Sequence, residues 1–220
     1  MDNREEHLEA LKDIRDIMDR STRFLSLSGL SGIFAGVFAL MGAAVAYYQM
    51  NINPLIKSSY INEQGRSKVL DMNEDLALFL IADAMVVLIA SLLASWFFTR
   101  RNARKAGQQL LNSTSRRMML NMMIPLVSGG FFCLVMLFHH VYWLIVPATL
   151  IFYGLALVNG GKYTLGEVRY LGLCEIALGV ISAVYLGYGF FFWSVGFGLL
   201  HIGYGVVMYF KYERDKRQEA

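Results

Sequence analysis

The sequence predicts an all-α polytopic membrane protein: a six-transmembrane-helix bundle built of three hairpins, with an N-terminal amphipathic helix. Three observations predict it. Of 220 residues, 56% are apolar, 14% aromatic and only 17% charged, whereas a soluble domain carries charge at about a quarter of its positions. The apolar residues collect in six runs of about 18 to 25 residues, the length that about 30 Å of hydrocarbon requires. The cations collect at the ends of those runs, and six of them (Arg100, Arg101, Arg104, Lys105, Arg116, Arg117) fall in one loop between the second and third. A loop that basic stays in the cytoplasm and orients the rest of the chain.

Residues 1–23 are expected to form a cytoplasmic amphipathic helix. Leu11, Ile14, Met18, Ser21 and Leu25 recur at steps of three and four with charges between them, the spacing of one helical face. Acids outnumber bases there by 7 to 5, so the helix lacks the polybasic character that anionic lipid selects. It reads either as an interfacial helix or as an arm, residues 5–23, that binds a cytoplasmic protein partner or a second copy of the chain.

The transmembrane domain is expected over residues 24–210, with spans near 24–48, 76–98, 118–138, 141–158, 170–187 and 190–210. The first run carries Ser28, Gly32 and Gly36 on one face and Ala35, Ala39 and Ala43 on another, small residues that let helix backbones approach. Ala44-Val45-Ala46 resembles a signal-peptidase site, but the run is longer than a signal h-region of about 7 to 15 residues and follows seven acids. The first span is therefore expected to be retained. The polar stretch from Gln49 to Asp75 turns at Asn53-Pro54 and ends in Asp71-Met-Asn-Glu74, a capping-box pattern that opens the second span.

The second run should continue as a helix through Lys105 and Gln109, with a restart at Ser113-Thr114-Ser115. Asn112-Ser113-Thr114 is a glycosylation sequon in a loop placed inside, where it stays unmodified. The third run contains Pro125, which leaves the Asn121 carbonyl without its helical donor, and the fourth contains Pro147. A short connection from Asn159 to Arg169 leads to the fifth run, and a turn at Tyr188-Gly189 leads to the sixth. The tail, 211–220, is charged. With both termini cytoplasmic, 17 of the 20 cations lie inside and only Lys57, Arg66 and Lys68 outside, which fits the orientation of a plasma membrane protein such as one of the bacterial inner membrane.

Repetition supports the hairpin reading. A shift of 49 residues superposes Gly179 on Gly130 and Gly203 on Gly154, and a shift of 143 superposes Gly172-Leu173 on Gly29-Leu30, Ile176 on Ile33 and Gly179-Val180 on Gly36-Val37. Three hairpins in parallel repeat follow from that register. The segments LGLCEIALGV and GFGLLHIGYGVVMYFKYE resemble the repeated two-helix units of bacterial HdeD-like acid-resistance membrane proteins, and the whole chain resembles an uncharacterised family of bacterial six-span proteins. The resemblance implies a non-enzymatic, stress-related membrane component and names no functional residue.

Chemistry has few carriers. The chain lacks a nucleophile elbow, a phosphate loop, an HExxH helix and the kinase motifs, so no catalytic residue, metal or cofactor is expected. Cys133 and Cys174 lie inside apolar runs without CxxC spacing and read as packing residues. His139 and His140 read as interface residues, and His201 lies about 16 Å below them, too deep to share an iron. The basic stretches are membrane anchors with the lipid bilayer as their partner, and no nucleic acid is expected.

Three ionisable residues remain inside the spans: Asp83, Glu175 and His201. Each is expensive in hydrocarbon and so proposes an intramembrane polar site. Counted along the helices, Asp83 lies about 10 Å deep, His201 about 16 Å and Glu175 about 21 Å, a ladder with steps of about 5 to 6 Å. Two readings follow. In one the chain is a non-enzymatic accessory or regulatory component acting through self-association or a cytoplasmic partner, with these groups locking the helix packing. In the other it is a small proton-coupled transporter or channel that uses all three.

Overall fold

The computed structural model describes residues 28–52, 74–105 and 112–213. The expected amphipathic helix at 5–23, the Asp71 cap, Gln109 and the tail beyond residue 213 lie outside the described residues. What is described is helical, with no strand, and among the described residues five helices are long and apolar enough to cross a membrane.

The helices are α1 (Gly29–Ile52), α2 (Glu74–Lys105), α3 (Ser113–Phe138), α4 (Ile145–Gly160, entered through a 3-10 turn at Tyr142–Leu144), α5 (Gly166–Val184) and α6. Helix α6 alternates its winding: α over Gly189–Trp193, π over Ser194–Leu200, α over His201–Met208 and π over Tyr209–Glu213. Helix α5 is not among the five spanning candidates. It places Glu167, Arg169 and Glu175 within 19 residues, and each such group raises the cost of insertion.

Element boundaries follow local chemistry. Helix α3 begins at Ser113 because Asn112 caps it: its side chain accepts the Ser115 amide at 2.7 Å, and Ser115 Oγ in turn accepts the Asn112 amide at 3.0 Å. That reciprocal pair satisfies two of the orphan donors of a helix start. The residue read from the sequence only as a sequon is thus a structural cap. Pro125 sits inside a continuous α3 and is buried. Helix α5 stops at Val184, three residues short of the expected end, because Gly187 belongs to the turn and takes φ 100°, a conformation cheap only for glycine. Its start moves to Gly166, which brings Glu167 into the first turn.

Helix α1 packs on α2 with one face and on α6 with another; α4 packs on α3 and α5, and α6 reaches across to α4 and α5. Ala39, Ala43 and Ala46 of α1 are buried. Helices α2 and α3 flank the assembly and leave large apolar side chains uncovered, such as Leu78, Val86, Leu92, Ile124 and Phe131. Such surface is an aggregation hazard in water and matches lipid tails in a bilayer.

The tight contacts use one eight-residue pattern. Gly29-Leu30-x-x-Ile33-x-x-Gly36, Gly172-Leu173-x-x-Ile176-x-x-Gly179 and Gly198-Leu199-x-x-Ile202-x-x-Gly205 share it. A Cβ on Gly36 would lie 2.5 Å from the Gly198 carbonyl oxygen and 2.9 Å from the Ile202 amide; one on Gly205 would lie 2.6 Å from the Gly29 oxygen and 2.5 Å from the Ile33 amide. The contact is therefore self-complementary and antiparallel. Helices α4 and α5 repeat it, since a Cβ on Gly154 would lie 2.6 Å from the Gly172 oxygen and 2.9 Å from the Ile176 amide. Only hydrogen at these positions lets the backbones meet.

That packing corrects the 49-residue register. Gly179 and Gly154 press on backbone, but Gly130 and Gly203 have nothing within 4 Å of an added Cβ, so the superposed glycines are not equivalent. The 143-residue shift pairs α1 with α5, and these two do share the pattern; their partners, however, are α6 and α4. Helix α5 lies along α4 more extensively than along α6, its expected hairpin mate.

Candidate functional site

The glycine pattern decides what its fourth position faces. In α1 that position is Gly32, in α5 it is Glu175 and in α6 it is His201. With Gly172 and Gly179 seated on α4, Glu175 turns inward and is fully buried, and His201 is only 7% exposed. The two meet between α5 and α6, with His201 Nδ1 3.5 Å from Glu175 Oε1. Gly196 makes the room: a Cβ there would come within 2.6 Å of Glu175 Oε2 and 2.6 Å of Leu150 Cδ2.

The imidazole is held on both sides. Its Nε2 lies 2.7 Å from the Tyr153 hydroxyl of α4, and its Nδ1 lies 3.0 Å from the Gly196 carbonyl oxygen, five residues back in the π-wound turn. A carbonyl can only accept, so Nδ1 carries a hydrogen and the neutral ring takes the Tyr153 O–H at Nε2. Phe197 stacks on the ring at 6.0 Å between centroids and 20°, and Tyr153 lies at 5.4 Å. Aromatic faces at that range stabilise an imidazolium if one forms.

Glu175 is held differently. Neither carboxyl oxygen has a hydrogen-bond partner, and the only other buried side-chain polar atom in that condition among the described residues is Ser182 Oγ. An ionised carboxylate so placed costs several kcal/mol unless a neighbour compensates it. The group placed to do so is the His201 imidazole, whose Nδ1 lies 3.5 Å from Oε1 while its N–H is given to the Gly196 carbonyl.

Asp83 does not join them. It sits half-buried on α2 against Gly42 of α1, where an added Cβ would lie 3.1 Å from Oδ2 and 2.4 Å from Val87 Cγ2. Helix α1 stands between α2 and α6. The expected three-rung ladder is thus replaced by a direct pair, Glu175 with His201, and a separate aspartate, because helix adjacency and not depth decides which groups meet. Tyr153 was missed by the sequence reading; only its shared helix-face spacing with Gly154 and Leu150 marks it.

A second polar cluster closes the same seam. Glu167, in the first turn of α5, takes hydrogen bonds from Lys211 Nζ and, at 3.0 Å, from the Tyr212 hydroxyl of α6. Burial pushes the Glu167 carboxyl up, but the bonds from Lys211 and Tyr212 outweigh it and hold the group below the usual carboxylate range. Of the basic-loop residues, Arg101, Arg104, Arg116 and Arg117 are exposed, Arg100 lies over the Trp96 ring at 5.0 Å, and the side chain of Lys105 lies outside the described residues. An arginine on an indole at a helix end is a common interfacial anchor. Cys133 is half-buried and Cys174 exposed, both as free thiols. His140 bonds Tyr142 at 2.6 Å in the turn before α4, and among the described residues no three His, Cys, Asp or Glu side chains converge as metal ligands.

No protein-family model matches the chain, and neither does any curated protein or solved structure.

Proposed function

We propose that this chain is a non-enzymatic, multi-pass membrane protein that takes up and passes on protons at Glu175 and His201. The observation that carries the reading is the fully buried Glu175 carboxyl, with neither oxygen hydrogen-bonded, 3.5 Å from His201 Nδ1. A purely structural pair in hydrocarbon is expected to satisfy its oxygens. The relay runs from Tyr153. A proton delivered to Nε2 gives the imidazolium, and the Nδ1 proton then passes to the Glu175 carboxylate. Tyr153 gives its O–H proton to Nε2 as it takes another from an incoming hydronium, so one O–H bond breaks and one forms at its oxygen. Nε2–H forms, Nδ1–H breaks and one O–H forms on Glu175, leaving an intact tyrosine, a neutral ring and a neutral acid. The Gly196 carbonyl, 3.0 Å from Nδ1, disfavours the resulting bare Nδ1, so the Nε2–H tautomer left by the transfer is the less stable of the two. Asp83 has no part in this relay.

The same reading places six spans in a bacterial inner membrane with both termini cytoplasmic, on the 17 to 3 division of cations. The competing reading is an accessory or stress-related component acting by self-association or through residues 5–23. Its support is the backbone-to-glycine packing of α1 on α6 and α4 on α5, which is that of a solid scaffold.

Proteoliposomes containing a pH-sensitive dye separate the two. Under an imposed gradient the wild-type protein should show a proton flux that Glu175→Gln and His201→Ala abolish while their thermal melts stay near wild type. A folded wild-type protein that passes no protons would return the pair to a packing role.

A further inference from the structure

Two acid–base pairs lie along one seam between α5 and α6. Glu175 meets His201 in the middle of the seam, and Glu167 meets Lys211 and Tyr212 at its end. On α5 the acids are eight residues apart, about 12 Å, and their α6 partners are ten residues apart, about 15 Å. Between the pairs lie Leu171, 7% exposed, and Met208, fully buried. Tyr204 stands one turn from His201 on α6. Tyr204 also packs, with Tyr153, against the buried cluster of Leu157, Val168 and Leu171.

On the far side of Glu175 the same face of α5 continues through Gly179 to Ser182. Ser182 is 1% exposed and its hydroxyl has no hydrogen-bond partner. The three buried, unpartnered side-chain atoms among the described residues, both Glu175 oxygens and Ser182 Oγ, therefore lie on one stripe of one helix. A buried hydroxyl left without a partner in an apolar bundle is costly, and each of these two groups would be satisfied by a water of its own.

We propose that protons cross the bundle along this α5 stripe, reaching the His201–Glu175 pair from the Glu167 end through Tyr204 and Tyr153, and leaving it past Ser182. The inference rests on the proton reading given above and adds its route and its barrier. From Glu167 to Ser182 the stripe covers 15 residues, about 22 Å, most of a hydrocarbon core of about 30 Å. Leu171 and Met208 are the dry segment between the two pairs, so a proton passes there only when water enters. From Glu175 the step to Ser182 is two turns, about 10 Å, past Gly179, whose close contact with Ile151 and Leu150 of α4 must open before water bridges it. The titratable groups that face the route are Tyr153 from α4, Glu167 and Glu175 from α5, and His201, Tyr204, Lys211 and Tyr212 from α6. The stretch of α1 packed on α6, from Gly29 to Ala46, contributes none.

The test uses the full-length protein, with inorganic buffer protons as the probe and two readouts. One is flux in proteoliposomes; the other is the infrared carboxyl band of Glu175, assigned by its loss in Glu175→Gln, after a pH step. Tyr204→Phe and Ser182→Ala, each removing one hydroxyl, should lower the flux about tenfold, the rate equivalent of about 1.4 kcal/mol, at unchanged thermal melt. Met208→Ala should raise it by thinning the dry segment. Flux that is present in the wild type but unchanged in either hydroxyl variant overturns the route, while the Glu175–His201 reading stands. Absence of both flux and a Glu175 band response overturns that reading, and the route with it.

Discussion

The Tyr153 hydroxyl lies 2.7 Å from His201 Nε2, so a residue of α4 holds one nitrogen of a histidine on α6 whose other nitrogen faces a buried carboxyl on α5. Three helices therefore share one proton network, although no two of the three residues are within 20 positions of each other in the chain.

Tyr153→Phe should keep the ring in place, because Phe197 still stacks on it and the Gly196 carbonyl still accepts from Nδ1. It should remove the donor at Nε2. Nitrogen NMR of labelled histidine is expected to show Nδ1 still protonated and Nε2 shifted toward an unbonded nitrogen. Proton flux should fall by about tenfold or more, in the range that a lost acid–base partner costs. An unchanged Nε2 resonance would show that Tyr153 does not bond the ring.

Gly154→Ala should destabilise the bundle by about 1 to 3 kcal/mol, the usual cost of forcing a methyl into a filled contact, since its Cβ would lie 2.6 Å from the Gly172 oxygen. Gly130→Ala should be neutral or slightly stabilising, as nothing lies within 4 Å and alanine is the better helix former. Thermal melts of the two variants in one detergent check the contrast. Equal effects would mean that the two glycines are packed alike, as the 49-residue repeat supposes.

Glu167→Gln should reveal a pH-dependent contribution. The native carboxyl is held below its usual value by Lys211 and Tyr212 against the opposing effect of burial, so the stabilisation is present above the unfolded value of about 4.3 and is lost as pH falls through the lower folded value. The melting temperature of the variant should lie below wild type at pH 7 and converge with it under acid conditions. A constant gap across that range would mean that the hydrogen bonds do not depend on the charge.

Asn112→Ala should cost about 1 kcal/mol by removing the cap of α3. Ser115→Ala removes the reciprocal half of the same box, so the double variant should cost less than the two added together. Hydrogen exchange should speed up in the first turn of α3 and leave α5 untouched. Additive effects would show the two side chains acting independently.

By itself the sequence determined that the chain is helical and rich in apolar helices. That follows because the length of an apolar run and the position of charges at its ends are local properties, read directly against the thickness and polarity of a bilayer. It also marked Glu175 and His201, because an ionisable residue inside such a run is conspicuous wherever it points. The glycine pattern was legible as well in Gly29, Ile33 and Gly36 set against Gly172, Ile176 and Gly179, though its third copy at Gly198, Ile202 and Gly205 went unread. Only the tertiary structure decided which helices those glycines join, and so which buried groups touch. Depth along a helix gives one coordinate, whereas contact needs helix adjacency and rotation as well; this is why Asp83 dropped out, Tyr153 came in, and Glu175 and His201 stand 3.5 Å apart instead of one rung from each other.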